Sequence, residues 1–173
     1  MALITETGTG ACDSESYASV AQADDYHAKR GATLWSSLQV ADKEAALRRA
    51  SDYVTEAYRL KWKGTRTHYA QALDWPRFGV ELDDVSYGQY AAYVDPNSVP
   101  LQVVNATCEL AFRAAQGPLA DDIDGPRLIS KTIGPIKKEY AATGPEHKRY
   151  RSIDMLLRPL LASGGGNLRL VRA

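Results

Sequence analysis

The sequence predicts a mainly α fold: a small helical bundle of about four to five helices, with a long irregular loop between helices two and three and a small β-hairpin before the C-terminal helix. Three observations carry that reading. Ala46, Leu47, Ala50, Tyr53, Val54, Ala57 and Tyr58 recur at the spacing of one helix face. Val103, Val104, Thr107, Leu110, Ala111, Ala114 and Ala115 do the same between Pro100 and Gly117-Pro118. Ile153, Leu156, Leu157, Leu160 and Leu161 repeat the pattern near the C-terminus. A chain of 173 residues can bury one real core, so a single domain over residues 17–162 is expected, with an N-terminal arm (1–16) and a flexible C-terminal tail (163–173).

Each element has its own local signal. Residues 1–16 are rich in Thr, Gly, Ser and acid and read as an arm that packs on something or stays mobile. The first helix begins at a capping box, Ser19 with Gln22 three residues on, and closes at Gly31. The second has the apolar face named above, opposite a wet face of Lys43, Glu44, Arg48, Arg49, Asp52 and Glu56. Gly64, Pro76, Gly79, Gly88, Pro96 and Pro100 then punctuate the long loop 60–100. Its rings, among them Trp62, Tyr69, Trp75, Phe78, Tyr90 and Tyr93, are too apolar for disorder and call for cover.

Helix three takes Asn97 or Ser98 as N-cap, with Pro100 in its first turn. RLISKTIGPIKKEYA reads as two short strands around Gly134-Pro135, a hairpin within 127–141. The last helix runs near Arg151 to Leu161, where Pro159 kinks or shortens its end. Ser163 to Asn167 then links to the sequence LRLVRA.

Within the loop, QALDWPRFG at 71–79 sets a tryptophan against a proline. The residue before proline is kept out of the helical region, so Trp75 is expected to be extended and aimed. Trp75 and Leu73 would plug the groove between helices two and three, with Arg77 pointing outward to an acidic neighbour; the other reading puts the Trp75 peg at an interface. Trp62, Trp75, Pro76 and Arg77 together form the expected loop anchor.

Chemistry is sparse. His27, His68 and His147 stand in separate segments without ligand spacing and read as surface or interface histidines. No phosphate-binding or nucleophile-elbow motif occurs, and the acidic pairs Asp24-Asp25, Asp83-Asp84 and Asp121-Asp122 read as turn and cap chemistry. Cys108 falls in an apolar helical pattern and Cys12 in a polar one, so neither a disulfide framework nor a metal site is suggested. No enzyme, metal or cofactor is expected. The start of the chain lacks a secretory pattern and no stretch is long and apolar enough for a membrane span, so a cytosolic protein is expected.

Charge is more informative. Residues 1–126 carry 11 basic and 18 acidic residues, whereas residues 127–173 carry 10 basic and 3 acidic. Such a division fits plain solvated surface, head-to-tail self-association, or docking of a basic tail on an acidic partner. KWKGTRTHY at 61–69 interleaves bases with aromatics as single-strand platforms do. The competing reading buries Trp62 and turns Lys61, Lys63 and Arg66 outward.

In order along the chain, YASVAQADDYHAKRG, Trp35 with KEAALRRASDYV, LKWKGTR, QALDWPRFG, VPLQVVNATCELA, KTIGPIKKEY and YRSIDMLLRPLLASGGG resemble one family. It is the head-tail adaptor (head completion, or connector) proteins of tailed bacteriophages, members of which also carry the label DnaT-like single-stranded-DNA-binding. The resemblance covers residues 17–166, and VELDDVSYGQYAAYVDPN looks longer than the family's usual connection. It implies a non-catalytic, mostly helical protomer of a dodecameric ring in the virion neck, assembled in the host cytoplasm. Its partners would be the portal protein, the next neck or tail protein and, non-specifically, genomic DNA in the channel. By position, Leu168, Arg169, Leu170, Val171 and Arg172 would dock on the portal, and Lys131, Lys137 and Lys138 of the hairpin would face the channel or the next component. The alternative is a single-stranded-DNA-binding protein of the DnaT-like type.

Overall fold

Ser19 and Gln22 do form the reciprocal cap. The Ser19 hydroxyl accepts from the Gln22 amide at 3.2 Å and the Gln22 side chain accepts from the Ser19 amide at 2.8 Å, starting α1 (Val20–Ala28). A short helix follows, α2 (Thr33–Ser36), and then the long α3 (Val40–Tyr58). The computed structural model describes residues 2–87, 90–120, 130–133, 136–139 and 150–162.

α3 buries Ala46, Leu47, Ala50, Ser51, Val54 and Tyr58 against α4 (Leu101–Ala114). α4 is buried on most of its circumference, through Val103, Val104, Ala106, Thr107, Cys108, Leu110, Ala111 and Ala114. Small residues let it sit at the centre of the core. Its N-cap position is Pro100, not Asn97 or Ser98. Those two belong instead to a turn on Asp95, whose carbonyl accepts from the Ser98 amide and hydroxyl and whose carboxylate accepts from the Asn97 amide. α5 (Arg151–Leu157) packs on α4 and passes into a 3₁₀ turn (Arg158–Leu160) at Pro159, where the missing amide hydrogen ends the α ladder.

The fold class departs from the expected mainly α bundle. Between α3 and α4 the chain forms two antiparallel pairs, β1 (Thr65–Arg66) with β2 (Arg77–Phe78), and β3 (Glu81–Tyr87) with β4 (Tyr90–Tyr93). With β5 (Ser130–Ile133) and β6 (Ile136–Glu139) there are three two-stranded sheets among the described residues, so the architecture is mixed. β1 and β2 are too short to show a period of two. The β3–β4 register shifts between Leu82 and Ser86, and that irregularity breaks the alternation that would have announced a strand. The β5–β6 pair lies where a hairpin was expected.

The N-terminal residues are tied down by one carboxylate. Glu6 Oε1 accepts from the amides of Gly8 and Gly10, and Oε2 from the Ala11 amide and the Ser14 hydroxyl, at 2.8–3.0 Å. These donors hold its pKa below the ordinary value against the opposing effect of burial. Gly8 has φ of +106° and lies so close to Asn97 that a Cβ would stand 2.0 Å from the Asn97 carbonyl oxygen. At Gly8 the N-terminal residues therefore pack on the segment leading into α4, while Leu3 and Glu15 meet Glu44 and Arg48 of α3.

Two side chains read as wet are buried. Lys43 turns into the α1–α2–α3 junction and pairs with Asp24 at 2.9 Å. His27 lies between Trp35 and Phe112, with ring centroids at 4.8 and 5.4 Å, and its Nε2 donates to the Cys108 carbonyl at 3.0 Å. Burial lowers its pKa, opposed by that hydrogen bond and by Glu109 and Asp24, while Arg30 adds to the lowering. A base neutral in the fold and charged when unfolded gives stability that is present above the unfolded value, about 6.5, and lost as pH falls through the folded one. The urea midpoint should therefore drop below pH 6.5, and His27→Gln, which keeps a donor for Cys108, should flatten that decline. An identical decline in the variant would show that His27 is not its source.

Candidate nucleic-acid interface

The segment between α3 and α4 is organised around Asp74. Its carboxylate is fully buried, and Oδ1 accepts from Arg59 Nε at 3.0 Å while Oδ2 accepts from Trp62 Nε1 at 3.2 Å. Its amide donates to the Tyr17 hydroxyl oxygen at 2.8 Å, which joins the loop to the N-terminal segment. Burial raises the Tyr17 pKa, so the phenol stays protonated. Trp62 stands edge-on to the fully buried Trp75 at 5.6 Å. Both rings and Leu73 belong to the same core cluster as α3 and α4. The Trp75–Pro76 peptide is cis.

Arg77 does not point outward. It is buried, and donates through Nε to the Lys63 carbonyl (2.8 Å), through Nη2 to Gly64 (2.7 Å) and through Nη1 to Asp74 (3.2 Å). The Lys63 and Gly64 carbonyls at the tight Gly64 bend and the buried Asp74 carbonyl need donors, and a guanidinium supplies several from one plane. Burial lowers its pKa, opposed chiefly by Asp74. Gly64 itself has φ of +64°, and any Cβ there would stand 2.2 Å from the Phe78 carbonyl oxygen. Gln71 completes the frame: its side-chain NH₂ donates to the Leu73 and Pro76 carbonyls, and its oxygen accepts from the His68 amide and Thr67 hydroxyl.

With its polar groups turned in, the segment leaves rings out. Tyr69 is 95% exposed, Tyr90 79%, Phe78 66% and Tyr93 58%. The expected cover for these rings is absent from the described chain. Trp62, by contrast, is buried, so the 61–69 stretch offers Tyr69 rather than the indole as its accessible ring. Lys61, Arg66 and His68 are exposed beside it in sequence, and Arg59 is half-exposed while pinned by Asp74. Lys63 is neutralised by Asp83 at 2.6 Å. Lys61 and Arg66 donate only to the Ala57 and Gln71 carbonyls among the described residues, so their charge is not cancelled; aromatic faces with such cations, on backbone fixed from beneath, can stack unpaired bases and hold phosphates.

The whole chain, residues 1–173, matches the family described as "Putative DnaT-like ssDNA binding protein". The chain belongs to that family. No curated protein and no solved structure matches it. The comparison supports the DnaT-like side of the resemblance and gives no support to a phage head-tail adaptor.

For this DnaT-like chain the remaining expected site residues are placed as follows. Leu168, Arg169, Leu170, Val171 and Arg172 lie outside the described residues, as does His147. In the β5–β6 pair Lys131 is opposite Lys138, and Lys137 is opposite Thr132. Cys108 is buried and its thiol is pushed up to about 12 by burial, which leaves it without thiolate character. Among the described residues no group of three or more His, Cys, Asp or Glu could hold a metal ion. Asp74 and Gln71 went unread as functional residues; their only signal was a polar residue repeatedly interrupting an aromatic stretch.

Two substitutions test the frame. Trp75→Ala should cost about 3–5 kcal/mol, as for a fully buried aromatic. Arg77→Met, which keeps the stem but abandons three carbonyls, should cost about 2–4 kcal/mol. Urea unfolding measures both, and a loss below about 1 kcal/mol for Arg77→Met would mean that water replaces the guanidinium.

Proposed function

We propose that the protein binds single-stranded DNA through the exposed rings and cations of residues 59–93. The observation that carries the reading is the pairing of an inward-bonded frame with the uncovered rings Tyr69 and Phe78, on the same segment of chain as the exposed Lys61 and Arg66. Membership of a family described by single-stranded-DNA binding supports the same conclusion. Bases would stack on the rings while phosphates meet Lys61, Arg66 and the half-exposed Arg59. The exposed carboxylates Glu81 and Asp84 of β3 would repel the backbone and keep the strand on the side of Tyr69 and Phe78.

Fluorescence anisotropy with labelled oligo(dT) provides the test. Lys61 and Arg66, which have no carboxylate partner among the described residues, predict a slope of log affinity on log salt of about −1.4. Tyr69→Ala and Phe78→Ala should each weaken binding by about tenfold, within the range of one lost stacking contact. Absence of salt-dependent binding at micromolar protein would reject the proposal.

A second reading, a structural adaptor ring in a phage neck, is favoured by one observation. Leu34, Val40, Leu101 and Met155 leave large apolar side chains exposed, on a chain whose two ends differ in charge sign. It predicts a higher-order oligomer in analytical ultracentrifugation, and loss of co-sedimentation with portal protein when residues 163–173 are deleted. A monomer at high concentration, with undiminished portal binding by the truncated chain, would reject both the ring and the role of Leu168 to Arg172.

A further inference from the structure

The α1–α2–α3 junction encloses an open cavity of about 390 Å³, lined by Asp24, His27, Ala28, Ala32, Trp35 and Lys43 among others. That volume lies toward the small end of the roughly 300–1,000 Å³ range of small-molecule pockets. Its walls are mainly apolar, so its few polar atoms decide what it can hold.

The polar atoms form one charge-neutral unit. Asp24 Oδ1 accepts from Trp35 Nε1 at 2.7 Å and forms an ion pair with Lys43 Nζ at 2.9 Å. The Lys43 side chain is only 9% exposed, yet its ammonium has three hydrogens and, among the described residues, one acceptor. Its remaining hydrogens are available to a ligand in the open cavity that Lys43 lines. Asp24 is 45% exposed and, among the described residues, its second oxygen has no donor and can meet an outside one. The junction thus offers an N–H donor beside a carboxylate acceptor.

An anion would meet the Asp24 carboxylate and a cation the Lys43 ammonium, so the pair selects a neutral group. That group must present an acceptor next to a donor, on a body small and flat enough for walls of Ala28, Gly31 and Ala32. The base-pairing edge of a nucleobase has that form. We propose that this cavity receives one unpaired base of a bound single strand, with Lys43 donating to a ring carbonyl or nitrogen and Asp24 accepting from the adjacent N–H. The inference rests on the DNA-binding reading. Along α3 the cavity stands about 24 Å from Arg59, from a helical rise of about 1.5 Å per residue, a separation that several nucleotides bridge.

Oligo(dT) carrying 5-iodo-deoxyuridine, photocrosslinked to the full chain and mapped by mass spectrometry, should mark the peptide from Asp24 to Lys43. Lys43→Met, and Ala28→Phe at the exposed mouth, should each lower oligo(dT) affinity about tenfold. Neither should change the affinity for an oligo(dT) too short to reach from Arg59 to the cavity, and that second measurement also shows that each variant is folded. Crosslinks confined to Tyr69 and Phe78, with both variants binding oligo(dT) normally, would overturn the cavity while leaving DNA binding intact. Failure of the unmodified protein to bind either strand would overturn both.

Discussion

A carboxylate with no solvent exposure cannot stand alone, and Asp74 is the constraint that the connection between α3 and α4 satisfies. Its partners come from Arg59, just past the end of α3, from Trp62 one turn of chain later, and from Tyr17 at the other side of the core. Its carbonyl meets Arg77, which in turn holds the carbonyls of Lys63 and Gly64. No member of this set is satisfied unless the others are in place. A segment with little regular structure thereby has one arrangement, fixed by polar geometry where a helix would be fixed by its own ladder.

That inward commitment explains the outward face. Once Gln71, Asp74 and Arg77 occupy the interior with Trp62 and Trp75, alternate positions such as Phe78, next to the buried Arg77, face water. Tyr69 lies between the two short strands β1 and β2, in the excursion that Gln71 closes from inside. Exposed rings are ordinary singly. Here Tyr69 and Phe78 rise from backbone that the hydrogen bonds of the frame fix from inside, which lowers the ordering cost of any ligand that stacks on them.

The helices were legible because their signals are local and repeated. The Ser19–Gln22 cap and the apolar face of α3 could be read at a glance, and each is a pattern that the chain carries whatever surrounds it. Lys43 and Arg77 were not, because a cation is ordinarily wet. Only the tertiary placement of Asp24, or of three converging carbonyls, makes either buried position tolerable. The two sheets between α3 and α4 escaped for a different reason: one is two residues wide and the other shifts register, so neither keeps a period of two. In the candidate site the exposed Tyr69 lay inside a stretch already notable for bases and aromatics, whereas the frame beneath it depended on contacts between distant segments.

Electrostatics limits how such a surface can work. The first 126 residues hold more acid than base, and one of the nearby cations, Lys63, is already paired with Asp83. A strand drawn mainly by counterion release would find little net attraction here. Rings behave differently, because stacking on a neutral face gains from desolvation and is hardly weakened by salt. A charge-neutral cavity lined by the Asp24–Lys43 pair would add contacts of the same uncharged kind. The chemistry of this chain therefore favours recognition of bases over recognition of backbone, and a duplex, whose bases are already stacked and paired, would offer it little.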